Sequence, residues 1–201
     1  MSFSQLVQFV PPPQAPIETG SPKLWEKAQE RLGIAFPKDY KDFIDSYGTG
    51  TFNNFIIPYN PFAANEYMNL YQVLDAHHHA SRKTQRMADS AWSVVTPFQL
   101  YPADAGLLPW GTTTRFELSF FWQITDRPDT WVTILYDLRL GEYEVWKLCL
   151  TAFLLKLFKA EIESVLLPRD TWLGSQEVTF HKFQEAPDPA VPLDPSFNRH
   201  F

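Results

Sequence analysis

Asp75 and His79 stand four residues apart in "LDAHHHAS", a spacing that brings two side chains onto one helical face, and His77, His78 and His79 follow one another. A metal is the chemistry such residues suggest. Adjacent helical residues, however, point about 100° apart, and an i,i+4 pair leaves a tetrahedral ion half coordinated. The run therefore reads as structural or solvated histidine, and no metal ligand is assigned. Asp126 and Asp129 in "TDRPDT" have the composition of an acid/base pair, but carboxylates beside a turn proline serve more often as turn formers. Cys149 in "KLCLTAF" has no neighbouring histidine to activate it and reads as a buried thiol. "YGTGT" lacks the lysine and spacing of a phosphate loop and follows a helix, so Gly48 reads as a helix stop. With no HExxH, GxSxG, CxxC pair or dinucleotide-binding glycine pattern, the sequence assigns no catalytic residue, no cofactor and no enzyme activity.

The composition bounds the fold and the classes of partner. Of 201 residues, 45% are hydrophobic, 16% aromatic and 20% charged, which fits one globular domain with a large core. The net charge is −6, and no cluster of lysine and arginine is long enough to track a phosphate backbone, so direct nucleic-acid binding is disfavoured. A basic protein partner would be attracted instead. The single cysteine allows no internal disulfide, and "MSFSQLVQFVPPP" resembles neither a signal sequence nor a membrane span, which together predict a cytoplasmic protein.

Residues 1–20 contain "PPPQAP" and are expected to be a loosely attached proline-rich arm. Residues 21–185 form the predicted domain, and 186–201, which begin with "APDPAVPLDPSF", a proline-rich tail. "SPKLWEKAQERLG" has Ser21 as N-cap, Pro22 at the first helical position, Gly33 as the stop, and Leu24, Trp25, Ala28 and Leu32 on one face. A second helix begins after Pro37, carries Tyr40, Phe43, Ile44 and Tyr47 on its apolar stripe and ends at Gly48. The two form a helical hairpin.

"TFNNFIIPYNPF" reads as one strand running into a loop, and "NEYMNLYQVLDAHHHASRKTQRM" as a long helix with Tyr67, Leu70, Tyr71 and Leu74 inward. "AWSVVTPFQL" is a further candidate strand, and "YPADAG" a turn. Phe116, Leu118, Phe120, Trp122 and Ile124 alternate with mostly polar residues, predicting a half-buried strand. After a reversal at "TDRPDT", the segments "WVTILYD" and "YEVWKL" complete an antiparallel meander, and a helix over 150–167 covers it. "EVTFHKF" is a possible edge strand. The fold class is α+β, with an N-terminal helical hairpin, a largely antiparallel meander sheet and covering helices.

Within this frame Trp122 belongs to the core, Trp110 sits at a turn before Gly111, and Trp131 falls out of phase with Val132, Ile134 and Tyr136, so it is expected to be accessible. Asp126, Asp129, Glu142 and Glu144 at the strand reversals would give an acidic rim around Trp131 as a partner-binding surface. The same acids serve equally well as ordinary turn residues. Both readings stand.

Three segments, "RLGIAFPKDYKDFIDSYGTG", "LLPWGTTTRFELSFFWQITDRPDTWVTILYD" and "LTAFLLKLF", resemble in that order the signatures of the SUKH superfamily, over residues 21–167. The first is matched by Leu32, Gly33, Pro37, Tyr40, Phe43, Tyr47 and Gly50, and the second by Trp110, Gly111 and Trp122. Pro128, Trp131 and Val132 match the return strand, and Phe153 and Leu154 the closing helix. Where family members place a Gly-Asp turn, this chain has Thr113, Thr114, Arg115, Phe116 and Glu117. The resemblance implies an α+β fold without enzymatic activity, and a role as an immunity protein that binds and neutralises a polymorphic toxin of nuclease or deaminase type. Its alternative is a regulatory scaffold, as in fungal cell-wall assembly regulators.

Overall fold

The computed structural model describes residues 2–86, 98–114, 117–173 and 176–183. The candidate strand at 91–100 lies largely outside these residues, as do Arg115, Phe116 and the tail at 186–201. Ser21 accepts from the Leu24 N–H and opens helix α2 (Pro22–Leu32), which Gly33 closes at φ 74. Helix α3 (Lys38–Tyr47) starts after Pro37 and stops at Gly48, where φ is 65. Tyr40, Phe43, Ile44 and Tyr47 are all buried, as their stripe predicts, whereas Leu24 of α2 is exposed.

The "FNNF" stretch supplies a turn rather than the middle of a strand. Asn53 and Asn54 both take positive φ, the backbone asparagine tolerates best after glycine, and they link strands β1 (Gly50–Phe52) and β2 (Ile56–Pro58). Helix α4 (Leu70–Arg86) buries Leu70, Tyr71 and Leu74, while Tyr67 lies before it and is exposed. Strand β3 (Leu107–Thr113) includes Trp110 and Gly111, so the expected turn there is instead a bulged strand whose register shifts between Pro109 and Gly111.

Strands β4 (Leu118–Gln123), β5 (Val132–Asp137) and β6 (Tyr143–Trp146) form the expected meander, with a 3₁₀ turn at Pro128–Thr130 between the first two. After helices α5 (Leu150–Phe158) and α6 (Arg169–Trp172), strand β7 (Phe180–Lys182) returns to pair with β1. Among the described residues the sheet has seven strands in the order β6-β5-β4-β3-β2-β1-β7, every neighbouring pair antiparallel. The fold is α+β.

Three corrections concern packing. Residues 1–20 are not a loose arm: helix α1 (Ser2–Phe9) inserts Leu6, followed by Val10, fully into the core, and the Tyr47 hydroxyl donates to the Val10 carbonyl at 2.5 Å. Its apolar residues Phe3, Leu6, Val7 and Val10 have helical spacing, so the face that anchors it was present despite the prolines that follow. The helix expected over 150–167 ends at Phe158, because Ala160 adopts φ 56 and the Glu161 and Ala160 N–H groups close back on Lys156 and Leu157. Finally, β4 is covered on both faces. Leu118, Phe120 and Trp122 join the main core under α3 and α5, while Phe121 joins Leu107, Ile134 and Tyr136 in a second cluster that Phe98 and Leu100 cover.

Candidate partner-binding surface

The five residues expected to form one rim do not meet. Asp126 and Asp129 lie in the β4–β5 reversal, Glu142 and Glu144 at the β5–β6 reversal, and β5 runs between them. Five steps along a strand of about 3.4 Å each separate the two groups by roughly 17 Å. Trp131, the proposed anchor between them, is only 2% exposed. Its phase argument failed because Trp131 precedes β5, at the end of the 3₁₀ turn, and so is not bound by that strand's alternation.

Two of the four acids are committed internally. Helix α3 has Pro37 at its N-cap, which offers no side-chain acceptor, and Asp129 Oδ1 takes the Lys38 N–H at 2.7 Å in its place. Helix α5 repeats the device. Cys149 gives it no side-chain cap, and Asp39 Oδ2 accepts from the Thr151 N–H at 3.0 Å and its hydroxyl at 3.1 Å. Glu144 holds the segment after α5, accepting from Ser164 Oγ at 2.7 Å and from the Val165 and Leu166 N–H groups at 2.6 and 3.2 Å. Asp126 and Glu142 remain exposed.

What the charge pattern missed is an apolar patch at the β5–β6 end. Leu138, Leu140, Tyr143, Val145 and Val165 are all exposed, Leu140 at 66% and Val165 at 85%. A cleft of about 380 Å³ separates Gly141, Glu142, Tyr143 and Glu144 from Val165 and Leu166. A signal was available: "DLRLGEY" places two leucines in a turn, where apolar side chains have nothing to cover them. Tyr143 stacks on Tyr136 at 6.2 Å and meets the edge of Phe98 at 4.8 Å, so the patch is supported by the second cluster beneath. Burial, with Asp137 alongside, raises the Tyr136 hydroxyl above its ordinary pKa. The phenol stays neutral there.

Asp75 and His79 are both exposed, whereas their neighbours His77 and His78 are built into the fold. His77 packs on Phe121 at 5.3 Å, and burial holds it down to a pKa of about 4. His78 Nε2 bonds the Tyr101 carbonyl oxygen at 2.7 Å. No group of three or more potential metal ligands occurs among the described residues. Cys149 is partly buried beside Ser2 and Thr151, and burial followed by the nearby Asp39 carboxylate raises its pKa, which disfavours the thiolate. A groove of about 780 Å³ at the other sheet edge is lined by Thr51, Asn54, Phe180, His181 and the Pro13–Ala15 segment, and among the described residues Lys182 is the one other titratable group in its lining.

A family model described as SUKH_5: SMI1-KNR4 cell-wall matches residues 8–101. This supports membership of the SUKH superfamily. The SUKH match runs from α1 through α4 to Tyr101, slightly under half of the chain, and stops short of Trp110, Gly111 and Trp122. Its α+β fold, with a seven-stranded antiparallel sheet, is consistent with that family. SUKH domains are protein-interaction modules. Neither the curated proteins nor the solved structures give a match to the chain. Among the described residues no helix is long and apolar enough to cross a membrane.

Proposed function

We propose that this chain is a non-catalytic binding protein of the immunity type, which neutralises a basic toxin domain by covering it. The observation that carries the reading is the β5–β6 end, where Leu138, Leu140, Tyr143, Val145 and Val165 are exposed beside Glu142 in a chain of net charge −6. Exposed apolar side chains supply burial, and the acidic field steers a cationic partner toward them. Asp126 extends the same negative field from the far end of β5 but adds no direct contact to this patch. Nucleic acid does not suit the charge.

The family model's own description, cell-wall, favours a second reading as a regulatory scaffold with several partners. Affinity capture from the native cell tests both. Neutralisation predicts one dominant basic protein that is retained by the unmodified chain and lost with Leu140→Asp and Val165→Asp at unchanged melting temperature. A broad set of partners favours the scaffold, and equal capture by the double variant removes this surface.

A further inference from the structure

Among the described residues the strand at this end of the sheet is itself unpaired on one side. β6 is the terminal strand of the sheet among the described residues and pairs there with β5 alone, with Leu135 opposite Glu144 and Ile134 opposite Val145. In an antiparallel ladder the residues alternate, one turning its N–H and C=O toward the neighbour and the next turning both away. The Asp137 N–H donates to the Glu142 carbonyl at 2.9 Å, which fixes the phase: Glu142 and Glu144 face β5, and Tyr143 and Val145 face outward. Among the described residues, neither Tyr143 nor Val145 makes a backbone hydrogen bond to another element. Native sheets usually blunt such an edge with a covering loop, a proline or a lysine within the strand. Here the neighbouring Ser164–Leu166 segment is tied to the Glu144 side chain, on the face away from Tyr143 and Val145, and makes no backbone bond to either of them, and a cleft opens between it and the start of the strand.

We infer that the outer edge of β6 accepts an extended segment of a basic partner protein as an added strand, through the backbone of Tyr143 and Val145. The proposal rests on the partner-binding reading above and specifies its mode. Side chains define the occupant. Tyr143 and Val145, 45% and 48% exposed, project from one face of the sheet, while Glu142 and Glu144 project from the other. The complementary strand therefore alternates apolar residues with lysine or arginine, since opposite charges directly across a pair stabilise it and like charges destabilise it. That same rule disfavours a second copy of this chain: antiparallel pairing of Tyr143 with the other copy's Val145 sets Glu144 against Glu144.

A capped hexapeptide of alternating valine and lysine is the probe, and amide hydrogen exchange of the full chain is the readout. At saturation the Tyr143 and Val145 amides should exchange about tenfold more slowly, because they gain acceptors. A peptide with glutamate in place of lysine, and one with N-methylated valines, should give no protection. Val145→Pro should abolish the effect without disturbing the β5 ladder, since the lost N–H faces away from it. If that variant does not fold, the N-methylated peptide still decides. Binding without protection at these two amides, or equal protection by the N-methylated peptide, overturns strand addition. Protection that appears with protein concentration alone overturns it in favour of self-pairing. A Val145→Pro chain that still captures its native partner ends strand addition but leaves the partner-binding reading intact, whereas undiminished capture by Leu140→Asp and Val165→Asp ends that reading as well.

Discussion

Trp131 packs its indole against that of Trp122, with ring centroids 5.7 Å apart and planes inclined by 54°, and its Nε1–H donates to the Thr125 carbonyl at 2.9 Å. The pair joins the β4–β5 reversal to the main core, where Trp122 also meets Tyr40 at 4.8 Å. Each of Trp122→Ala and Trp131→Ala should therefore cost about 3–5 kcal/mol, as truncations of buried aromatics do. Their effects should sum to less than additive because they remove a shared contact. Chemical denaturation of the two single variants and the double variant checks this. A Trp131→Ala loss under about 1 kcal/mol would return that residue to the surface.

Helix α1 makes a second prediction, opposite to the one its prolines suggest. Leu6 is fully buried and Val10 nearly so, both within the main cluster with Tyr47 and Phe158. Leu6→Ala should destabilise the chain by about 2–5 kcal/mol, and removal of residues 1–10 should lower the melting temperature by several degrees or more. Unchanged thermal unfolding of the truncated chain would contradict the packing of α1.

The two acids at the β5–β6 reversal should separate cleanly. Glu144 holds three donors of the segment after α5, so Glu144→Ala leaves two backbone N–H groups and a hydroxyl to find water and should cost about 1–3 kcal/mol. Glu142→Gln should change stability by less than about 0.5 kcal/mol, since its side chain is exposed. With a basic partner in hand, the same Glu142→Gln change should slow association at low salt and flatten its dependence on ionic strength. Equal stability losses for the two variants would mean that the Ser164–Leu166 clamp contributes nothing.

These contrasts mark where the sequence was informative. Ser21, Pro22, Gly33 and Gly48 punctuate α2 and α3 because each acts on the backbone within a few residues of itself, and the period-two alternation of β4 places Phe120 and Trp122 correctly for the same local reason. The end of α5 was not legible, since its left-handed closing residue is Ala160 where glycine is usual. Nor were the uses of Asp129 and Asp39. Each caps a helix from 91 or 112 residues away, so what looks like a turn former or a solvated charge is decided by topology. The acidic rim failed for a related reason: the two reversals are neighbours in the chain but lie at opposite ends of β5.

His77 supplies a pH prediction. Its ring lies against Phe121, with His78 the nearest ionisable group on its own helix, and burial first and His78 second hold its pKa at about 4 in the folded chain. In the unfolded chain an ordinary histidine titrates near 6.5, so between roughly pH 6.5 and 4 the unfolded state binds the proton and the folded state does not. Stability contributed by neutral His77 is thus fully present above this window and is lost as pH falls through it, at a limiting slope of about 1.4 kcal/mol per pH unit. His77→Leu removes the titration while keeping an apolar contact with Phe121. Carboxylates titrate in both proteins, so the difference between them isolates the imidazole: the variant should gain on the parent steadily as the medium is acidified from pH 7 to 4.5. Parallel stability curves across that range would show that His77 is protonated as readily folded as unfolded, and that its place on Phe121 is open to water.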